Sequence, residues 1–239
     1  MALSDQRQPA ATATRGAAVE LHDVIRIYRE ADVETVALRG VDLRVEPGEF
    51  VALRGRSGSG KSTLLHLVAG ADRPTAGRVL VDGVDLARAG ERERTSLRGR
   101  TVGVVFQAGN LVPFLDTREN LELAATLAGR PISREDAAAI LARVGLGERA
   151  SHRADALSGG EQQRAALACV LAASPSVLVA DEITGELDSE SATLVLDLLA
   201  EIHAREGITV LIATHDPDVA ARAARVVHLR DGRAAEGAN

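Results

Sequence analysis

The sequence has no tryptophan, one tyrosine and three phenylalanines, so aromatics make up only 2% of its 239 residues. A core without rings must be built from Ala, Val, Leu and Ile. That suits a buried parallel sheet with helices on both faces. There is one cysteine, which excludes an internal disulfide and suits a reducing cytoplasm. No run of about 18 apolar residues is present, so no membrane span is expected, and the N-terminus lacks an apolar signal core. A net charge of −6 argues against nucleic acid as the main partner. Arg88, Arg92, Arg94, Arg98 and Arg100 form a local basic stretch, but Glu91 and Glu93 interleave with them, as on a solvated mixed-charge helix face. Residues 1–16 are polar and Ala-rich, and disorder is expected there.

Lysine is almost missing too. Of 28 basic residues, one is lysine, Lys61. It lies in Gly55-Arg56-Ser57-Gly58-Ser59-Gly60-Lys61-Ser62, followed by Thr63, which fits the phosphate-binding pattern G-x-x-x-x-G-K-[ST]. A compact ammonium can enter a ring of backbone N–H groups and reach β- and γ-phosphates as a point charge, where a guanidinium fork would not fit. Gly55, Gly58 and Gly60 let the backbone wrap close to phosphate, and Ser62 can offer a hydroxyl to Mg²⁺. The apolar run Phe50–Arg54 before the loop reads as a strand, and Lys61–Ala69 after it as a buried helix with a favourable N-terminal dipole.

Hydrophobic residues reach 46%, enough for one large core, or one domain with an inserted subdomain. Residues 17–28 and Val36–Val45 read as strands, with a turn at Pro47-Gly48. Arg78–Val81 and Thr101–Phe106 add two more. From about Thr117 to Ser151 the pattern is helical in pieces, first through Leu121, Leu123 and Leu127, then Ala137–Val144, then a short helix; Ser158–Ala173 is a further helix with Ser158 as N-cap. Strands Val177–Ala180, Ile208–Ala213 and Val226–Leu229 then alternate with helices Ser191–His203 and Pro217–Ala224, which implies a parallel α/β sheet.

The strand at Val177 ends in Asp181 and Glu182. Taken alone, this pair reads first as a solvated acidic turn. Beside a phosphate loop, the first carboxylate can hold Mg²⁺ and the second can orient and deprotonate water. The run Leu157-Ser158-Gly159-Gly160-Glu161-Gln162-Gln163-Arg164 lies shortly before it. With that run the sequence resembles the ATP-binding cassette (ABC) family, whose signature is LSGGEQQR. A Ser-Gly-Gly at a helix start is an anion site. The resemblance implies that Ser158, Gly159 and Gly160 meet the γ-phosphate held by a second copy of the chain.

The resemblance covers about residues 18–235 and places the remaining motifs. Gln107 matches the glutamine that contacts Mg²⁺ and senses the membrane partner. His215 matches the switch histidine, Asp188 lies in the Gly185–Asp188 dimer-interface loop, and Tyr28 stands where an aromatic stacks on adenine. The expected fold is α/β: a P-loop NTPase-type, mainly parallel core with an N-terminal antiparallel β subdomain. The expected organisation is one ATPase domain over residues 17–235, with a helical subdomain inserted at about 108–173. ATP and Mg²⁺ are the implied ligands, a homodimer and an integral-membrane permease the implied partners, and the cytoplasmic face of the membrane the implied location. Ala37–Val41, Val105-Phe106-Gln107, Asn110–Pro113, Glu119-Asn120 and Ala180–Gly185 are similar to the lipoprotein-release, macrolide-export and cell-division branch. That branch implies an exporter or a mechanotransmission ATPase; the alternatives are a non-transport cassette ATPase and a nucleotide-gated partner in envelope or division signalling. Ile183, Glu186, Ala154 and Cys169 depart from the family's usual Pro, Asn, Pro and Arg. The apolar segment Asn110–Leu115 is expected to be a contact surface for the permease, or else a turn buried on the helical subdomain.

Overall fold

The computed structural model describes residues 15–31 and 33–236. Strands β1 (Val19–Glu30) and β2 (Val33–Val45) pair antiparallel, and β4 (Ala76–Val81) joins the other edge of β1. With the two-residue β5 (Val84–Asp85) they form a sheet of order β2-β1-β4-β5. The second sheet has order β10-β9-β3-β8-β7-β6. Its strands are β3 (Phe50–Arg54), β6 (Val102–Val105), β7 (Val177–Asp181), β8 (Thr209–Thr214), β9 (Arg225–Arg230) and β10 (Arg233–Glu236). All but the β9–β10 pair are parallel. The carboxyl ends of β3, β6, β7 and β8 therefore share one edge, where ligands of open α/β sheets bind.

The apolar residues of the central strands alternate between two cores. Phe50 and Ala52 of β3, Leu178 and Ala180 of β7, and Val210 and Ile212 of β8 face one core. That core is filled by α3 (Thr117–Leu127), α4 (Arg134–Arg143), α5 (Gly159–Ala173) and α6 (Ser189–Glu206). Val51, Leu53, Val177, Val179, Leu211 and Ala213 face the other, beneath α1 (Lys61–Val68) and the antiparallel sheet. Burial on both faces requires continuous apolar strands, and small aliphatic residues fill both layers without aromatics. The short α7 (Pro217–Arg222) starts with proline in its first turn, where no amide partner is needed.

Several boundaries differ from the sequence reading. The helical stretch from Thr117 divides as read, into α3, α4 and a short piece, but α4 begins three residues earlier, at Arg134 behind the Ser133 capping box, and the last piece is a single 3₁₀ turn at Gly147–Arg149. The hairpin partner β10 and the two-residue β5 carry too few apolar residues to show a period. The expected disorder over 1–16 falls outside the described residues except at Arg15 and Gly16. These two are fixed: Gly16 N donates to Gly207 O at 2.8 Å and Arg15 reaches Pro175 O at 3.2 Å. The basic stretch at 88–100 forms α2 (Glu91–Arg100), yet it is not wholly solvated. Arg94 is buried, with its guanidinium paired to Glu91, and Arg98 donates to Gly70 O at 2.5 Å. Arginine stems can cover apolar surface while the head pairs locally, which composition alone does not reveal.

Candidate functional site

The loop 55–60 turns between β3 and α1. Gly60 has φ +104°, and a Cβ there would lie 2.6 Å from Ala37 O, so only glycine fits against β2. Lys61 curls back over the loop, donating to Gly55 O at 3.0 Å and Arg56 O at 3.3 Å. Its side chain is 6% exposed. Ser62 and Thr63 lie in the first turn of α1, with Ser62 exposed. Arg56, Ser57 and Gly58 are exposed, while Ser59 is buried.

At the end of β7 the chain kinks. Glu182 has φ +47°, a left-handed backbone that an L-residue adopts only at a cost of roughly 1–2 kcal/mol. Its amide donates to Ala213 O at 3.0 Å, anchoring the turn to β8. The strained turn brings Glu182 Oε1 to 3.7 Å from Lys61 Nζ and 3.5 Å from His215 Nδ1. Residues from the ends of β3, β7 and β8 thus meet around one carboxylate. Asp181, one residue earlier, has a buried Oδ1 with no hydrogen-bond partner among the described residues.

Gln107 follows β6 and donates through Nε2 to Glu186 Oε1 at 3.0 Å. Its backbone is gripped by Gln163 of α5, whose amide reaches Gln107 O at 2.6 Å and Phe106 O at 3.2 Å. Asn110 closes the turn by accepting from Phe106 N at 2.7 Å. A cleft of ≈ 390 Å³ opens here, lined by Gln107, Gly159, Gln163, Glu182 and Glu186 among others. A second, of ≈ 500 Å³, opens beside Gly55–Ser59 and His228–Asp231.

Ser158 caps α5, accepting from Glu161 N at 3.3 Å while Glu161 accepts from Ser158 N at 2.9 Å. This pairing, helped by Arg149, holds the Glu161 carboxyl below its ordinary value of 4.5. A Cβ on Gly160 would lie 2.9 Å from Ser191 Cβ, so the start of α5 is pressed against the start of α6. Asp188 caps α6 by accepting from Ser191 N at 2.9 Å, and that bond lowers its pKa. Among the described residues, no hydrogen bond or ion pair joins Ser158–Gly160 to the loop 55–63 of the same chain.

Tyr28, near the end of β1, donates to Asp72 Oδ2 at 2.9 Å, and the Arg26 guanidinium lies 4.3 Å from its ring centroid. The sequence reading had no role for Arg26 or Asp72, and no contact for Glu186 or Gln163. Gln163 lies inside the signature run and Arg26 two residues before Tyr28, but only the fold shows what they touch. The four departures also acquire surroundings. Ile183 and Ala154 are buried, Glu186 holds Gln107, and Cys169 packs against the core with its thiol pushed up to about 12 by burial.

The sequence profile of the family described as ABC transporter matches residues 38–185. The chain belongs to the ABC transporter family. It is 48% identical over 217 residues to the macrolide export ATP-binding/permease protein MacB of Hyphomonas neptunium, covering 90% of this chain and 34% of that protein. It is 48% identical over 229 residues to the lipoprotein-releasing system ATP-binding protein LolD of Anaeromyxobacter dehalogenans, covering 95% of this chain and 94% of that one. Among solved structures, a dimer of the ATP-binding cassette MJ0796 in a post-hydrolysis state, bound to ADP and Pi, superposes with a TM-score of 0.85 at 36% identity. That alignment covers 92% of this chain and 99% of the other. The chain thus spans only 34% and 30% of the length of the macrolide exporters from H. neptunium and Syntrophobacter fumaroxidans. Among the described residues, no helix of this ABC-family cassette is long and apolar enough to cross a membrane.

Proposed function

We propose that the chain is the ATP-hydrolysing cassette of a membrane transporter of the export or mechanotransmission kind. In this reading two copies sandwich two nucleotides and act on an integral-membrane permease from the cytoplasmic face. The observation that carries it is the convergence of Lys61, Glu182 and His215 at the carboxyl edge of the parallel sheet. Lys61 and the backbone amides of 55–63 bind the phosphates. Glu182 takes the proton of the attacking water, and His215, 67% exposed, orients the γ-phosphate. Ser158, Gly159 and Gly160 act on the nucleotide of the other copy; among the described residues of their own chain no hydrogen bond or ion pair joins them to the loop 55–63. Asp188 caps the helix beside that seam.

Mg²⁺ fits the residues present. The buried Asp181 Oδ1, unpartnered among the described residues, the exposed Ser62 hydroxyl and the Gln107 amide oxygen are all hard oxygen donors. Bound there, the ion would neutralise charge on the β- and γ-oxygens. The relatives' names support export or lipoprotein release as the work done, through a permease that is fused in MacB.

The test is phosphate release by the purified chain and by Glu182→Gln. The amide keeps size and hydrogen bonding but cannot accept the proton, so turnover is expected to fall by about 10²–10⁴. MgATP binding persists, and an ATP-bound dimer elutes on size exclusion. Equal turnover in the two proteins rejects Glu182 as the base. Nucleotide binding without hydrolysis by the wild type favours a nucleotide-gated partner instead.

A further inference from the structure

We infer that Arg26 and Asp72 are positioning residues that hold the Tyr28 ring as a one-sided stacking platform for a purine base, in register with the phosphate loop. The inference rests on the nucleotide reading above and adds two residues to it. Asp72 Oδ2 accepts from the Tyr28 hydroxyl at 2.9 Å and from Arg26 Nε at 2.8 Å. Both charged side chains are largely withdrawn from water, at 22% and 23% exposure, so the pair holds its geometry better than a surface contact. The Arg26 guanidinium lies 4.3 Å from the ring centroid, within cation–π range. It covers one face of the ring. A base can stack only on the other.

Asp72 also ties the platform to the phosphate end. Ala71 N and Asp72 N both donate to His66 O, at 2.9 and 3.3 Å, in the last turns of α1. The same helix begins at Lys61. Its eight residues span about 12 Å, on the scale of an extended nucleoside triphosphate. One rigid element therefore carries the phosphate cradle at its start and the clamp on the base platform just past its end. Loosening Asp72 should cost affinity for ligands that have a base and leave the phosphate chain's contacts intact.

The sequence supplies its own probe. Tyr28 is the only tyrosine and there is no tryptophan, so the tyrosine emission of the full chain comes from this ring alone. MgATP and magnesium tripolyphosphate, which has the phosphate chain without a base, are titrated with emission and calorimetry in parallel. ATP is expected to change Tyr28 emission saturably, while tripolyphosphate binds without doing so. Asp72→Ala is expected to weaken ATP binding about threefold to tenfold with tripolyphosphate affinity unchanged. Asp72→Asn keeps an acceptor for the Tyr28 hydroxyl and should recover part of the loss. Should Asp72→Ala fail to fold, Arg26→Met carries the same comparison. ATP binding seen by calorimetry with no emission change overturns the inference and leaves the nucleotide reading standing. Equal loss of ATP and tripolyphosphate affinity overturns it too, as a general brace. No ATP binding at all removes both readings.

Discussion

The Lys61 ammonium lies 3.0 Å from Gly55 O and 3.3 Å from Arg56 O, inside a loop too tight for a planar five-donor fork. At this scale charge is not enough, and shape decides. Lys61→Arg is therefore expected to lower MgATP affinity by at least about tenfold. Lys61→Ala should match it in calorimetry, and tight binding by either variant would remove the phosphate role. Glu182 makes the complementary point. Its left-handed backbone is tolerated because the amide is pinned to Ala213 O, and the strain aims the carboxylate between Lys61 and His215.

Helix starts are the decisive feature at the scale of elements. Asp116, Ser133, Ser158 and Asp188 each satisfy an orphan amide, and the carboxyls of Asp136, Glu161 and Asp188 are all held below their ordinary values by serine partners. The sign follows directly. A carboxyl with a lowered folded pKa contributes stability above its unfolded value, and that contribution fades as pH falls through the folded pKa. For Glu161 the decline begins below about pH 4.5. Glu161→Gln keeps the reciprocal cap but has no proton to take up. Its melting temperature should therefore fall less steeply than that of the wild type between about pH 4.5 and 3, measured by circular dichroism. Parallel melting curves would show that the cap contributes no pH dependence.

Across the whole molecule, two cores meet on the parallel sheet and leave its carboxyl edge free. The segment after Gln107 sits at that edge. Leu111 packs against the core, whereas Phe114 is 69% exposed, so the surface-contact expectation has the geometry it needs and the buried-turn alternative does not hold at Phe114. Phe114→Asp should leave folding within about 0.5 kcal/mol of the wild type, as surface changes usually do. It should leave ATP binding intact and abolish co-purification with the permease. An unfolded mutant would place Phe114 in the core, and an intact complex would move the docking surface elsewhere.

The family, the glycine loop between β3 and α1, the acid pair at the end of β7 and the capped start of α5 were legible in the sequence because each is a local pattern. A loop that wraps phosphate needs glycines at fixed spacing, and a buried parallel strand needs an unbroken apolar run. The strand Phe50–Arg54 and the helix starting at Lys61 follow from those needs almost to the residue. What the sequence could not carry were contacts between residues far apart in the chain. Tyr28 with Asp72, Gln107 with Glu186, and Lys61 with Glu182 are separated by 44, 79 and 121 positions. No periodicity encodes such pairs. They arise when parallel strands bring their carboxyl ends to one edge and when α1 carries Asp72 back beneath β1. Burial of Arg94 and Ile183 was hidden for the same reason. A side chain's surroundings are set by what packs over it, and that is decided only when the sheets and helices close.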